Sequence, residues 1–123
     1  MAKNKKKKLR GIADKLWFKA CIKRYGNRCE SCGSHANQVH HVFPKGMCSV
    51  LRFDIDNGSP ICQVCHFRLH HLGDPTILQA IIAKRGQKWF DDLKAKSKKQ
   101  MASYLSIGYY EDIINKLTKY LNG

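Results

Sequence analysis

Acidic side chains are scarce in this chain of 123 residues: 9 Asp and Glu stand against 23 Lys and Arg, for a formal charge of +14. The imbalance makes a polyanion the first partner to consider, because Lys and Arg contacts to phosphate dominate nonspecific nucleic-acid binding. Long apolar runs are missing as well. None approaches the roughly 20 residues needed to cross a bilayer, which excludes a membrane-spanning helix and leaves no membrane partner. The basic start MAKNKKKKLR is not followed by an apolar stretch of about 7–15 residues, so it does not read as a secretory signal and a reducing cytoplasm is expected. No internal repeat is visible. The lysine-rich residues 1–10 are the one low-complexity segment and are expected to be disordered until bound. They hold six of the positive charges, and the remainder still carries +8. A hydrophobic content of 43% suffices for a folded core, and the length fits a single domain over 11–123.

Six cysteines are present, and four form two C-x-x-C pairs, Cys29/Cys32 in CESCG and Cys62/Cys65 in CQVCH. Without secretion, zinc is the better reading than disulfides. Zn²⁺ prefers a tetrahedral thiolate cage, and each C-x-x-C supplies two sulfurs from one tight turn. Two copies without a thioredoxin-like strand–helix pattern make a redox motif the poorer fit. Cys21, on the apolar stripe of a helix, and Cys48, in a loop, read as ordinary thiols.

The 29 residues between Cys32 and Cys62 exceed the roughly 15–20 of a common zinc ribbon, so the zinc is expected to pin the ends of an inserted element. The insert contains a short β-like run, Val39-His40-His41-Val42-Phe43, and a turn rich in Asp, Asn and Gly, Arg52 to Gly58. Ser59-Pro60 reads as a helix opening or a lead-in to the second knuckle. Cys65–His71 reads as a helix, on which His66 and His70 share one face and can share an ion, while His71 points about a quarter turn away. Five of the six histidines therefore flank the zinc framework, and His35 is left without a role.

An amphipathic helix is expected before the first knuckle, with Ile12/Ala13, Leu16/Trp17 and Ala20/Cys21 recurring every four residues. Lys15, Lys19 and Lys23 form a separate row that serves either as a solvated face or, with Lys5, Lys6, Lys7 and Lys8, as a phosphate-contacting one. After the site, Asp74-Pro75 is a cap and first turn, with Ile77, Leu78, Ile81 and Ile82 buried and Gly86 as the stop. Trp89, Phe90 and Leu93 suggest a further helix, broken around 97–106, and Tyr109/Tyr110, Ile113/Ile114, Leu117 and Tyr120/Leu121 a last one whose aromatics suit helix packing.

The ordered combination C-x-x-C, His-His, Asn, C-x-x-C-H and a final His, from Cys29 to His71, resembles HNH endonucleases with a zinc-stabilised ββα-metal core. More narrowly, Leu51-Arg52-Phe53-Asp54, Asn57-Gly58, the second cysteine pair and a helical tail resemble phage-encoded HNH proteins related to the lambdoid NinG/Rap recombination nucleases. The His40, His66 and His70 set is similar at the metal site to colicin-type nucleases, which lack the four-cysteine clamp. The resemblance implies a small α+β protein with flanking N- and C-terminal helices, a core of about 26–73 and a helical extension of about 74–122. It implies DNA cleavage, nonspecific or selective for structure, in phage recombination or genome processing in a bacterial host cytoplasm. His41 would be the general base, Asn57 its orienting residue, and His40, His66 and His70 the ligands of a catalytic divalent ion. Imidazoles favour Zn²⁺, Ni²⁺ or Mn²⁺ over Mg²⁺, and a neutral histidine, with an ordinary pKa of about 6.5, suits deprotonation of water. Arg52 joins the lysines as a DNA contact. A noncatalytic zinc-dependent DNA-binding module is the alternative, and a structural or partner-binding zinc protein a third. The oligomeric state, a homodimer included, is open.

Overall fold

The computed structural model describes residues 2–45, 49–99 and 106–123; Cys48 lies outside them. Its architecture is α+β: helix α1 (Ala2–Tyr25), strand β1 (Gln38–His41), strand β2 (Gly58–Ile61), then helices α2 (Gln63–His71), α3 (Pro75–Arg85), α4 (Gln87–Ser97) and α5 (Ile107–Asn122). Two 3-10 turns, Ser49–Leu51 and Ile55–Asn57, lie between the strands, and the second leads into β2. Among the described residues no helix is long and apolar enough to cross a membrane.

The apolar stripe of α1 builds the larger core. Ala13, Trp17, Ala20 and Cys21 are buried with Phe53 from the insert and Tyr110 and Leu117 from α5. The two helices run side by side in the same direction, and the ammonium of Lys23 donates to the last carbonyls of α5, Tyr120 O at 2.7 Å and Leu121 O at 3.3 Å. A cation suits the negative end of the helix dipole there. Residues 2–10, expected to be a disordered tail, continue α1 instead. Lysine is a good helix former, no glycine or proline interrupts the segment before Gly11, and Leu9 packs against the core.

A second cluster collects Cys29, Ile61, Cys62, Cys65, Ile77 and Ile81, with Leu69 and Trp89 against it. Here α3 begins as expected, with the Asp74 carboxylate accepting from the Thr76 N–H and Pro75 in the first turn, and it stops at Gly86, whose φ of 101° suits glycine. Ile77 and Ile81 are buried, but Leu78 and Ile82 are only partly so, because a single stripe of α3 faces the cysteines.

The strands pair antiparallel, with Gln38 opposite Ile61, Val39 opposite Pro60, His40 opposite Ser59 and His41 opposite Gly58. Ser59-Pro60, expected as a helix opening or lead-in, and Gly58, expected in the turn before it, therefore lie in a strand. Pro60 is tolerated because β2 is a sheet edge. Alternation puts His40 and Ser59 on one face, towards α2, and His41 and Gly58 on the other, towards α1.

Gly58 is required by that second face. A Cβ there would lie 2.3 Å from Cys21 Sγ and 2.8 Å from Trp17 Cζ2. Gly58→Ala is expected to push α1 off the sheet and cost about 1–3 kcal/mol, the usual range for overpacking. Urea unfolding measures it; unchanged stability would contradict this packing.

Candidate functional site

The four sulfurs of Cys29, Cys32, Cys62 and Cys65 lie within 4.8 Å of one another, and Cys32 Sγ is 3.6 Å from Cys62 Sγ. A tetrahedral zinc with Zn–S bonds of about 2.3 Å spaces its sulfurs by about 3.8 Å, so the cage has the size for such an ion. Local turns bring each pair together. Cys32 N–H faces Cys29 Sγ at 3.5 Å, and Cys65 N–H faces Cys62 Sγ at 3.4 Å, the latter as the cap of α2. Burial opposes ionisation of Cys62, but hydrogen bonds from Ser34, the Cys65 N–H and neighbouring thiols outweigh it and bring the thiol down to about 6. Cys65, desolvated and facing those same sulfurs, is pushed up to about 12. Four sulfurs this close resist joint ionisation unless a cation sits among them, which is the chemistry of a structural metal site such as zinc.

The second cluster joins β1 to α2. One ring nitrogen each of His40, His66 and His70 lies within 4.8 Å of the others, with ring centroids 4.5–5.5 Å apart. Burial pushes His40 down to about 3, and potential positive charge on His66, His70 and His41 adds to this. His66 is lowered by burial and then by His70 and His71. These two imidazoles are thus held neutral, the form that ligates metals. His71 faces away, exposed and stacked on Phe67, so the helix offers His70 and not His71. His35 is exposed and outside both clusters.

His41 lies on the opposite face of β1, its ring flat on the indole of Trp17 with centroids 4.0 Å apart and planes 8° from parallel. Its Nε2 is 3.0 Å from the carbonyl oxygen of Arg52. A carbonyl only accepts, so Nε2 carries the proton and Nδ1 keeps a lone pair. Burial lowers the His41 pKa, the Arg52 carbonyl opposes this, and the charges of Lys45 and Arg52 reinforce it.

Asn57 is fully buried and makes no hydrogen bond to His41. Its Oδ1 accepts from Phe43 N–H at 2.8 Å, while Nδ2 donates to Phe43 O at 3.0 Å and Leu51 O at 3.2 Å. It therefore ties down both ends of the loop between His41 and Arg52.

The basic residues divide. Lys5, Lys7 and Lys8 are exposed along the first turns of α1, Lys6 less so. Lys15 and Lys19 are exposed but lie two residues from Trp17, about 160° around the helix, and so point away from His41. Lys23 is engaged with α5. Arg52 is held by Asp14 through Nε–Oδ1 at 3.3 Å and Nη2–Oδ2 at 3.0 Å. Sequence reading missed Trp17 as the platform for His41, β2 as the partner of the His-His strand, and Lys45 near His41. Trp17 carried only the signal of an apolar helix position.

Comparison of the chain with protein-family models, curated proteins and solved structures finds no match.

Proposed function

We propose that this chain is a metal-dependent DNA endonuclease of the HNH type with a ββα-metal core formed by β1, β2 and α2. The observation that carries the reading is the placement of His40 and His41 on opposite faces of one strand. His40 joins His66 and His70, while His41 stands apart with its tautomer set by the Arg52 carbonyl. A binding module needs neither arrangement.

His40, His66 and His70 would hold the divalent ion, with Zn²⁺, Ni²⁺ or Mn²⁺ suiting imidazole donors better than Mg²⁺. When bound, the ion supplies charge stabilisation at the phosphoryl and leaving oxygens. His41 takes a proton from water at Nδ1 as the water oxygen attacks phosphorus, and the bond to the leaving oxygen breaks with that oxygen taking a proton from solvent water. The Arg52 carbonyl stabilises the imidazolium that forms, and Asn57 keeps that carbonyl in place by fixing the loop. Lys5, Lys6, Lys7 and Lys8 supply sequence-independent phosphate contacts. The +14 charge supports DNA as the substrate, and the four-cysteine zinc holds the core together. A role in phage recombination or genome processing rests on the resemblance alone.

The pH profile of plasmid cleavage tests this assignment. A base must be neutral to act, and burial lowers the pKa of His41. Activity should therefore rise with pH along a limb whose midpoint lies below the ordinary histidine value of about 6.5. A midpoint above that value would assign the proton transfer to another group.

A further inference from the structure

Arg85, at the end of α3, is sandwiched between aromatic rings, its Cζ 3.4 Å from the Tyr25 centroid and 4.8 Å from that of Trp89. Its guanidinium donates to Glu30 Oε2 at 2.9 Å, to Glu30 Oε1, to Asp56 O at 3.1 Å and to Gly58 O at 2.6 Å. The two side chains are 5% and 1% exposed. An ion pair this buried contributes little to stability beyond what an apolar pair would, because desolvation offsets the attraction. What it adds is direction.

Glu30 sits inside the first knuckle, directly after Cys29. Its N–H donates to Pro60 O at 3.0 Å, and its Oε1 accepts from the hydroxyl of Ser59 at 2.7 Å. Ser59 is fully buried and stands opposite His40 in the sheet. β2 runs straight into Cys62, so its angle to the cysteine cage helps set how His40, on the sheet, stands to His66 and His70, on the helix that starts at the cage. Glu30 bonds the strand at two points and closes that angle.

We propose that Glu30, held by Arg85 and acting through Ser59, is a positioning residue that presents His40 to His66 and His70. The inference rests on the reading that these three histidines hold an ion. It gives the C-terminal helices a part in the site, since Arg85 comes from α3.

Ser59→Ala tests it by removing the hydroxyl while leaving the ion pair and cage intact. With zinc on the cysteines, Ni²⁺ affinity at the histidines should fall by up to about tenfold, the low end for losing a partner bonded directly to a ligand, because Ser59 acts through the strand and bonds Glu30 rather than His40. The thiolate charge-transfer absorption of a Co²⁺-loaded cysteine cage should not change. Leu117→Ala, in the other core, should lower stability without lowering Ni²⁺ affinity, and Ser59→Thr, which keeps the hydroxyl, should bind Ni²⁺ more tightly than Ser59→Ala. Wild-type Ni²⁺ affinity in Ser59→Ala, or equal affinities in the alanine and threonine variants, would overturn the positioning role while leaving the histidine site standing. A wild-type protein that takes up no second ion would overturn both.

Discussion

His41→Ala is expected to bind DNA about as tightly as the unaltered protein while its turnover falls by a factor of about 10² to 10⁴, the range for losing a positioned general base. The ring makes its hydrogen bond to the Arg52 carbonyl and otherwise lies on Trp17, outside the cysteine and histidine clusters. Its removal exposes one indole face and takes away no ligand. His66→Ala gives the contrasting result. Affinity for the catalytic ion drops, and excess Mn²⁺ or Ni²⁺ restores part of the rate, as it cannot for His41→Ala. Single-turnover cleavage at saturating DNA, across a metal titration, separates the two. Equal rescue of both variants would place His41 among the ligands and remove the base from the mechanism.

The largest effect on the fold is expected from Cys62→Ser. Structural zinc in small domains contributes about 10–16 kcal/mol of apparent binding free energy, as much as the 5–15 kcal/mol by which a domain is typically stable. The Cys62 sulfur also caps α2, the helix that carries His66 and His70, and a serine hydroxyl keeps that cap, so the variant removes the metal ligand alone. Its loss should release zinc, unfold the second core and abolish both clusters together. Zinc content and circular dichroism on the purified variant check this. A folded, active Cys62→Ser protein would show that the cage is not structural.

The features legible in the sequence are those set by local chemistry. The two C-x-x-C turns, the Asp74-Pro75 cap, the Gly86 stop and the stripes of α1 and α5 each depend on neighbours within one or two helical turns. β2 was missed because Gly58-Ser59-Pro60-Ile61 contains a glycine and a proline and shows no alternation; its strand character comes from pairing with β1. The glycine in it answers to Trp17 and Cys21, far away in sequence. The direction of Lys15 and Lys19 was also hidden. A helix displays its rows of charge in the sequence, but which row faces the site depends on what the opposite side packs against, here His41 on Trp17. Lys23 sits in the same row yet is taken up by the end of α5, a long-range contact that spacing does not record. The pairing of Glu30 with Arg85 is equally nonlocal, its one local hint being a carboxylate inside a knuckle.

We propose that an ion on His40, His66 and His70 acts with His41 to cut DNA. Incubating purified, zinc-loaded protein with supercoiled plasmid, with and without added Mn²⁺ or Ni²⁺, tests it most directly. Nicked and linear plasmid should form with the ion and stop forming when EDTA is added. Plasmid that is bound but left supercoiled at saturating protein and ion would contradict the claim and make the chain a DNA-binding module.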